Sequence, residues 1–152
     1  MSFDQFITIT DYPKTVAGNF VLPNTLINCP VEGIGKSAFQ NSPQLTSITF
    51  PDQITDIGDF AFENCPLLKT AIFWGDAPVL KDAMYGDGYK TSVFDGASTN
   101  FMIYYFSDHT GFSSPTWEDY PATEIDRSIY PAAEWLLGYD LPYNTNLTTD
   151  VG

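Results

Sequence analysis

The sequence predicts a right-handed solenoid of short stacked strands joined by irregular or short helical turns. Residues 34–56 align without gaps on residues 57–79, a period of 23 with eight identical positions. The identities pair Ile34 with Ile57, Gly35 with Gly58, Ala38 with Ala61, Phe39 with Phe62, Asn41 with Asn64, Pro43 with Pro66, Leu45 with Leu68 and Phe50 with Phe73. Most are apolar or turn-forming, so they describe a core pattern and its corners. The composition agrees: of 152 residues 43% are apolar, 16% aromatic and 16% charged, with 11 glycines and 11 prolines. That is one folded, loop-rich domain, long enough to bury a core. One unit of this length cannot cover its own apolar face, whereas stacked units cover each other.

Each slot of the unit has a physical reading. Ile-Gly opens a turn, Ala-Phe sets a small and a large residue on one inward face, Asn-x-Pro forces a corner, and Leu-x-x-(Ile/Ala)-x-Phe alternates as a half-buried strand. In chain order, Phe6-Ile7-Thr8-Ile9-Thr10 alternates like a capping strand. Phe20-Val21-Leu22-Pro23 matches the strand exit Thr49-Phe50-Pro51, and Asn24 to Gly33 is the same connection with four or five extra residues before Ile34. After the two clear copies, Lys81 to Tyr89 is an inserted exposed loop. Val93-Phe94-Asp95-Gly96 and Phe101 to Tyr105 then restore the spacing of Phe62 to Phe73. The count is one N-terminal strand, about four coils and a tail. In the tail, Pro131 to Gly138 predicts about two turns of helix, with proline at the first position and glycine past the end. The division is residues 1–125 as solenoid with cap strand and aromatic closing coil, and 126–152 as helix and polar tail.

These residues resemble the BspA-like bacterial leucine-rich repeats, whose units read roughly Leu-x-x-(Ile/Val)-x-(Ile/Leu)-Pro-x-x-(Ile/Val)-x-x-Ile-Gly-x-x-Ala-Phe-x-x-Cys. The stretch Leu45, Ile48, Phe50-Pro51, Ile54, Ile57-Gly58, Ala61-Phe62 and Cys65 fits nearly slot for slot. The likeness is strong over about residues 18 to 80. Gly111-Phe112 to Tyr120-Pro121 resembles a closing coil, although Glu118-Asp119 stand where glycine usually precedes the aromatic. The resemblance implies a leucine-rich-repeat-like solenoid, a cell-surface or secreted setting and protein–protein contact, and it does not imply catalysis. The start Met1-Ser-Phe-Asp-Gln-Phe6 lacks a signal peptide pattern, and an end on Asp150-Val151-Gly152 suits an excised fragment.

Charge and missing chemistry narrow the function. A formal charge of −13 repels a phosphate backbone, which excludes nucleic acid. No apolar run approaches the ~20 residues of a membrane-spanning helix, so membrane insertion is excluded as well. His109 is the one histidine and sits in the turn composition Ser107 to Gly111, with no nucleophile motif beside it. No phosphate loop, dinucleotide fingerprint or Cys-x-x-Cys is present. The expectation is therefore no enzyme, no cofactor and no metal. Asp140, Asn144, Asn146 and Asp150 offer oxygens, yet they lack an Asp-x-Asp-x-Asp-Gly run and read as a solvated linker. Cys29 and Cys65 are expected to stay unpaired, Cys65 as a small core residue.

The densest functional signal is aromatic. Phe101, Tyr104, Tyr105, Phe106, Phe112, Trp117 and Tyr120 fall within twenty residues, and alternation along 101–106 prevents them from all facing one core. Two readings stand open. In one, Phe112, Trp117 and Tyr120 fold back as a lid on the last coil. In the other, Tyr104, Phe106 and Trp117, with Tyr120 beside them, are binding residues for a partner. The function read from the sequence is a non-catalytic extracellular or cell-surface recognition or adhesion module that binds a protein surface or itself. The alternative is a structural subunit that stacks head to tail into oligomers or filaments.

Overall fold

Asn41 and Asn64 both hold the left-handed backbone, at φ 63° and 59°. Asparagine tolerates that conformation because its short amide bonds locally, and at the matching point of the next coil the chain uses Gly96, at φ 83°. The repeated Asn slot is thus a backbone requirement. The computed structural model describes residues 5–80 and 92–126, so the expected loop at 81–89 and the helix and tail after 126 lie outside the described residues.

The described strands are β1 (Ile7–Ile9), β2 (Ala17–Val21), β3 (Thr25–Leu26), β4 (Cys29–Ile34), β5 (Gln44–Phe50), β6 (Asp56–Ile57), β7 (Thr70–Phe73), β8 (Val79–Leu80), β9 (Met102–Phe106), β10 (Thr116–Trp117) and β11 (Tyr120–Ile125). No helix occurs among the described residues, and the connections are turns. One sheet has the order β1-β4-β6-β8, all parallel, with β3 antiparallel to β4. The other has the order β10-β11-β9-β7-β5-β2, parallel except for the β10–β11 hairpin.

A coil passes from a strand of the second sheet to a short strand of the first, then through a turn column back to the second sheet. The 23-residue period appears as register, with Ser47 opposite Thr70, Ile48 opposite Ala71 and Phe50 opposite Phe73. The turns pair as well. Ser37, Phe39 and Asn41 donate their amides to the carbonyls of Asp59, Ala61 and Glu63, and Phe62 and Asn64 donate to Val93 and Asp95. Backbone groups in the corners are therefore satisfied coil to coil, as buried amides require.

The main core lies between the sheets. Val31, Ile34 and Ile57 meet Leu45, Ile48, Ala71 and Ile103 there, and all seven are fully buried. Two ring columns run along the stack. Tyr12, Phe39, Phe62 and Phe94 follow one another at 5.0, 4.9 and 5.5 Å between centroids. Phe50 and Phe73 stack at 4.5 Å beside them. Ring on ring satisfies the apolar face of each coil with the same residue type from the next, which is why Phe recurs in these slots.

Two expectations are corrected. Asn24 to Gly33 is a β-hairpin formed by β3 and β4, with Ile27 and Asn28 at its tip, and is not an extended version of the ordinary connection. The closing segment also contains a hairpin, β10–β11, whose tip is Glu118-Asp119. A two-residue turn with φ above zero at both positions matches the twist of the strands it joins, and Glu118 and Asp119 have φ of 53° and 68°.

Candidate functional site

The ends of a coil stack are where a partner, a cap or another copy must meet the chain. At the C-terminal end the aromatics fold inward. Phe112 stacks on Tyr105 at 4.6 Å and 11°, and Trp117 lies 4.8 Å from Phe112 and edge-on to Phe73 at 5.6 Å. Tyr120 ends the first ring column edge-on to Phe94 at 5.4 Å. Its hydroxyl donates to Asp95 Oδ1 at 2.7 Å and accepts the Phe94 amide at 3.1 Å. Burial, with the Asp95 carboxylate beside it, holds the phenol well above its usual ionisation range.

Of the four expected binding residues, Phe106, Trp117 and Tyr120 are buried, and Tyr104 is half-buried. They do not form one surface. Trp117 and Tyr120 join the core, whereas Phe106 and Tyr104 point out of the opposite face of the second sheet with Ile72, Trp74 and Ile125. Trp117 packs edge-on against Phe73 and Tyr120 edge-on against Phe94, so both rings cover apolar rings of the last coils.

Beside the lid is an open groove of about 430 Å³ lined by Phe94, Asp95, Gly96, Ser98, Phe101 and Tyr120. Its one acid, Asp95, is engaged by Tyr120. His109 sits in a turn after β9, with Nδ1 3.0 Å from Asp76 Oδ1. Asp76 also accepts the Thr110 amide at 3.0 Å, and that bond together with His109 holds its carboxyl below the usual range. The Ala77 amide donates to the Thr110 carbonyl at 2.9 Å, so the pair ties the closing coil to the turn after β7. No group of three or more metal-ligating side chains gathers among the described residues. Cys29 and Cys65 are both free, and burial pushes the Cys65 thiol up.

The N-terminal hairpin carries the feature that the sequence reading missed. Ile27 is 90% exposed at φ 53°, beside Leu26 at 39%. A β-branched residue in the left-handed region is strained, and an exposed one gains no burial to offset the strain. The turn itself does not require it. The two hairpins share the pattern Thr-x-x-(Asn/Asp)-x-Pro and the same pairing, Thr25 with Pro30 and Thr116 with Pro121. The C-terminal copy makes the same turn with Glu118-Asp119. The signal was available in the sequence as an Ile-Asn step between short apolar runs, where a turn reading would look for Asn-Gly.

Phe6, 60% exposed, directly precedes β1, which pairs with β4 just beyond the hairpin. Phe6 adjoins β1 and Ile27 adjoins β3, and both of those strands pair with β4.

The model of the BspA type leucine rich repeat region matches residues 15–114 in six copies, against the four coils counted from the period. No curated protein and no solved structure matches the chain. The match spans most of the coil stack and the rings Phe39, Phe50, Phe62, Phe73 and Phe94, and it includes both copies of the slots Ile-Gly, Ala-Phe and Asn. The chain belongs to the family of BspA-type leucine-rich repeat proteins.

Proposed function

We propose that this chain is a non-catalytic recognition or adhesion module of a cell surface or secreted protein, and that it grips its protein partner with the tip of the β3–β4 hairpin. The family is one of protein-interaction modules, generally without enzymatic activity. The observation that carries the finer reading is Ile27, a large apolar side chain held strained and 90% exposed at a turn where a polar pair serves elsewhere in the same chain. Strain of this kind persists where a contact uses it. Leu26, 39% exposed, supplies apolar area next to it in the chain, and a few anchor residues commonly carry most of a contact's affinity.

A displayed random-peptide library selected on the folded chain tests this. Peptides with an apolar anchor are expected to be enriched, and Ile27→Asn should weaken them at least about tenfold, since asparagine keeps the turn and removes the anchor. The same variant should melt at an equal or higher temperature. Enriched peptides that bind both proteins equally would refute the hairpin as the contact.

A second reading, head-to-tail self-assembly, draws on the edges of the first sheet. β1 and β8 end the order β1-β4-β6-β8, and each has an exposed apolar neighbour or member, Phe6 at 60% and Val79 at 62%. Light scattering across a concentration series separates the two: Val79→Lys abolishes growth if edges join, and leaves a recognition module monomeric as before.

A further inference from the structure

The turn column ends on an open rung. Two of its rungs recur from coil to coil. On the first, the Phe39 amide donates to the Ala61 carbonyl at 2.7 Å and the Phe62 amide to the Val93 carbonyl at 2.8 Å. On the second, the Asn41 amide donates to the Glu63 carbonyl at 2.9 Å and the Asn64 amide to the Asp95 carbonyl at 2.8 Å. At the last coil the matching donors are Phe94 and Gly96. The Tyr120 hydroxyl accepts the Phe94 amide at 3.1 Å, so it stands where a further coil would offer its carbonyl. Nothing replaces the carbonyl of the second rung: Gly96 is exposed, and its amide has no acceptor among the described residues.

Gly96 lines the open groove of about 430 Å³ together with Ser98, Thr99, Phe101, Tyr120 and Asp95. The rings of Phe101 and Tyr120 meet edge-on at 6.1 Å and give the groove an apolar side. Three properties define what fits. The amide calls for an acceptor oxygen, as backbone donors in the rest of the column have one. The charge disfavours an anion, because Asp95 is the one charged residue of the lining and no cation offsets it. The rung itself is shaped for main chain, since both acceptors of the same rung in the earlier coils, Glu63 and Asp95, are backbone carbonyls.

We infer that this groove is a binding site for an extended peptide segment of a partner protein, which docks one backbone carbonyl on the Gly96 amide and lays an adjoining small apolar side chain against Phe101 and Tyr120. The bound segment lengthens the turn column by one rung, much as an added strand lengthens a sheet at its edge. Phe101 and Tyr120 are each only 6% exposed, so the apolar contribution is small and a short segment is held weakly, as one part of a larger contact.

Titration of the isotope-labelled full-length chain, followed at its backbone amides by NMR, tests the site. The probe is the neutral blocked tripeptide acetyl-Ala-Val-Ala-methylamide. The Gly96 amide should shift saturably and at least about fivefold further than the Asn64 amide, whose acceptor is already in place. In Thr99→Trp, which fills the groove from an exposed position, half-saturation should need at least about tenfold more peptide. Sodium acetate should leave Gly96 where it was. A Gly96 amide that does not move with the peptide overturns the proposal, and so does unchanged affinity in a folded Thr99→Trp. Saturation by acetate assigns the groove to anions, and saturation by N-acetylglucosamine at a lower concentration than the peptide assigns it to a glycan; either result overturns a peptide site. A Gly96 shift that follows protein concentration without peptide assigns the rung to a second copy and overturns it as well. Should Thr99→Trp fail to fold, the ratio of the Gly96 and Asn64 shifts in the unaltered chain decides. The titration reads Gly96 and not the hairpin tip, so this site and the Ile27 contact can fail independently.

Discussion

Phe39 and Phe62 stack 4.9 Å apart at an interplanar angle of 10°, joining two coils that are 23 residues apart in the chain. Phe62 also meets Phe94 at 5.5 Å and takes Phe50 edge-on at 5.6 Å, so it touches three rings at the crossing of the two columns. Removing it leaves a cavity that adjacent coils cannot fill, because their spacing is fixed by the turn ladder. Phe62→Ala should destabilise the fold by about 3–5 kcal/mol in urea unfolding. An unchanged midpoint would refute the stacked arrangement.

Gly58 tests the turn column in a different way. A Cβ built there would overlap the backbone of Gly35 and Lys36 in the preceding coil. Backbone held by the paired amides of Ser37 and Phe39 cannot move aside as a side-chain tip can. Gly58→Ala should cost about 1–3 kcal/mol, although alanine is otherwise the least demanding replacement. Equal stability by urea midpoint would mean that the coils are not in this contact.

The cysteines should differ in the native protein. Cys65 is fully buried, its thiol donates to the Phe39 carbonyl at 3.3 Å, and burial holds it above its usual ionisation range. Cys29 is only half-buried, at the start of β4. Alkylation needs the exposed thiolate, so Cys65 should label at least about tenfold more slowly than Cys29 in native buffer. Two thiols should label in denaturant. Timed quenching and peptide mass spectrometry give both rates.

The period-23 pattern made the stack legible because one residue type recurs where one geometry recurs. Phe stacks on Phe, and Asn sits where φ is positive. The two hairpins are less legible, since they lie outside the 23-residue period and their shared turn pattern is weaker than Asn-Gly. Alternation along Phe101 to Phe106 correctly implied two faces, but it could not tell a buried outer face from an open one. Phe106, a contact residue on the sequence reading, is buried in the structure. Ile27 is harder to place from sequence, because an Ile-Asn step is a weaker turn signal than Asn-Gly, and the backbone sets it on the turn tip.

Tyr120 gives a prediction with a sign that depends on pH. Its hydroxyl accepts the Phe94 amide and donates to Asp95 while the ring closes the end of the stack. Tyr120→Phe keeps the ring and removes both bonds, leaving a buried amide without its acceptor, which should cost about 1–3 kcal/mol at neutral pH. In the folded chain the phenol is held protonated by burial and by the neighbouring carboxylate, so its folded ionisation lies above the unfolded one, near pH 10. A group raised in this way contributes stability that is complete below the unfolded value and is lost as pH climbs from there toward the folded value. Unfolding free energy of the unaltered chain should therefore decline above about pH 10, and the decline should be shallower in Tyr120→Phe. Urea titrations of both proteins at a series of pH values from neutral to alkaline measure the difference. Parallel curves, offset only by the neutral-pH loss, would show that the Tyr120 proton is not held by this site.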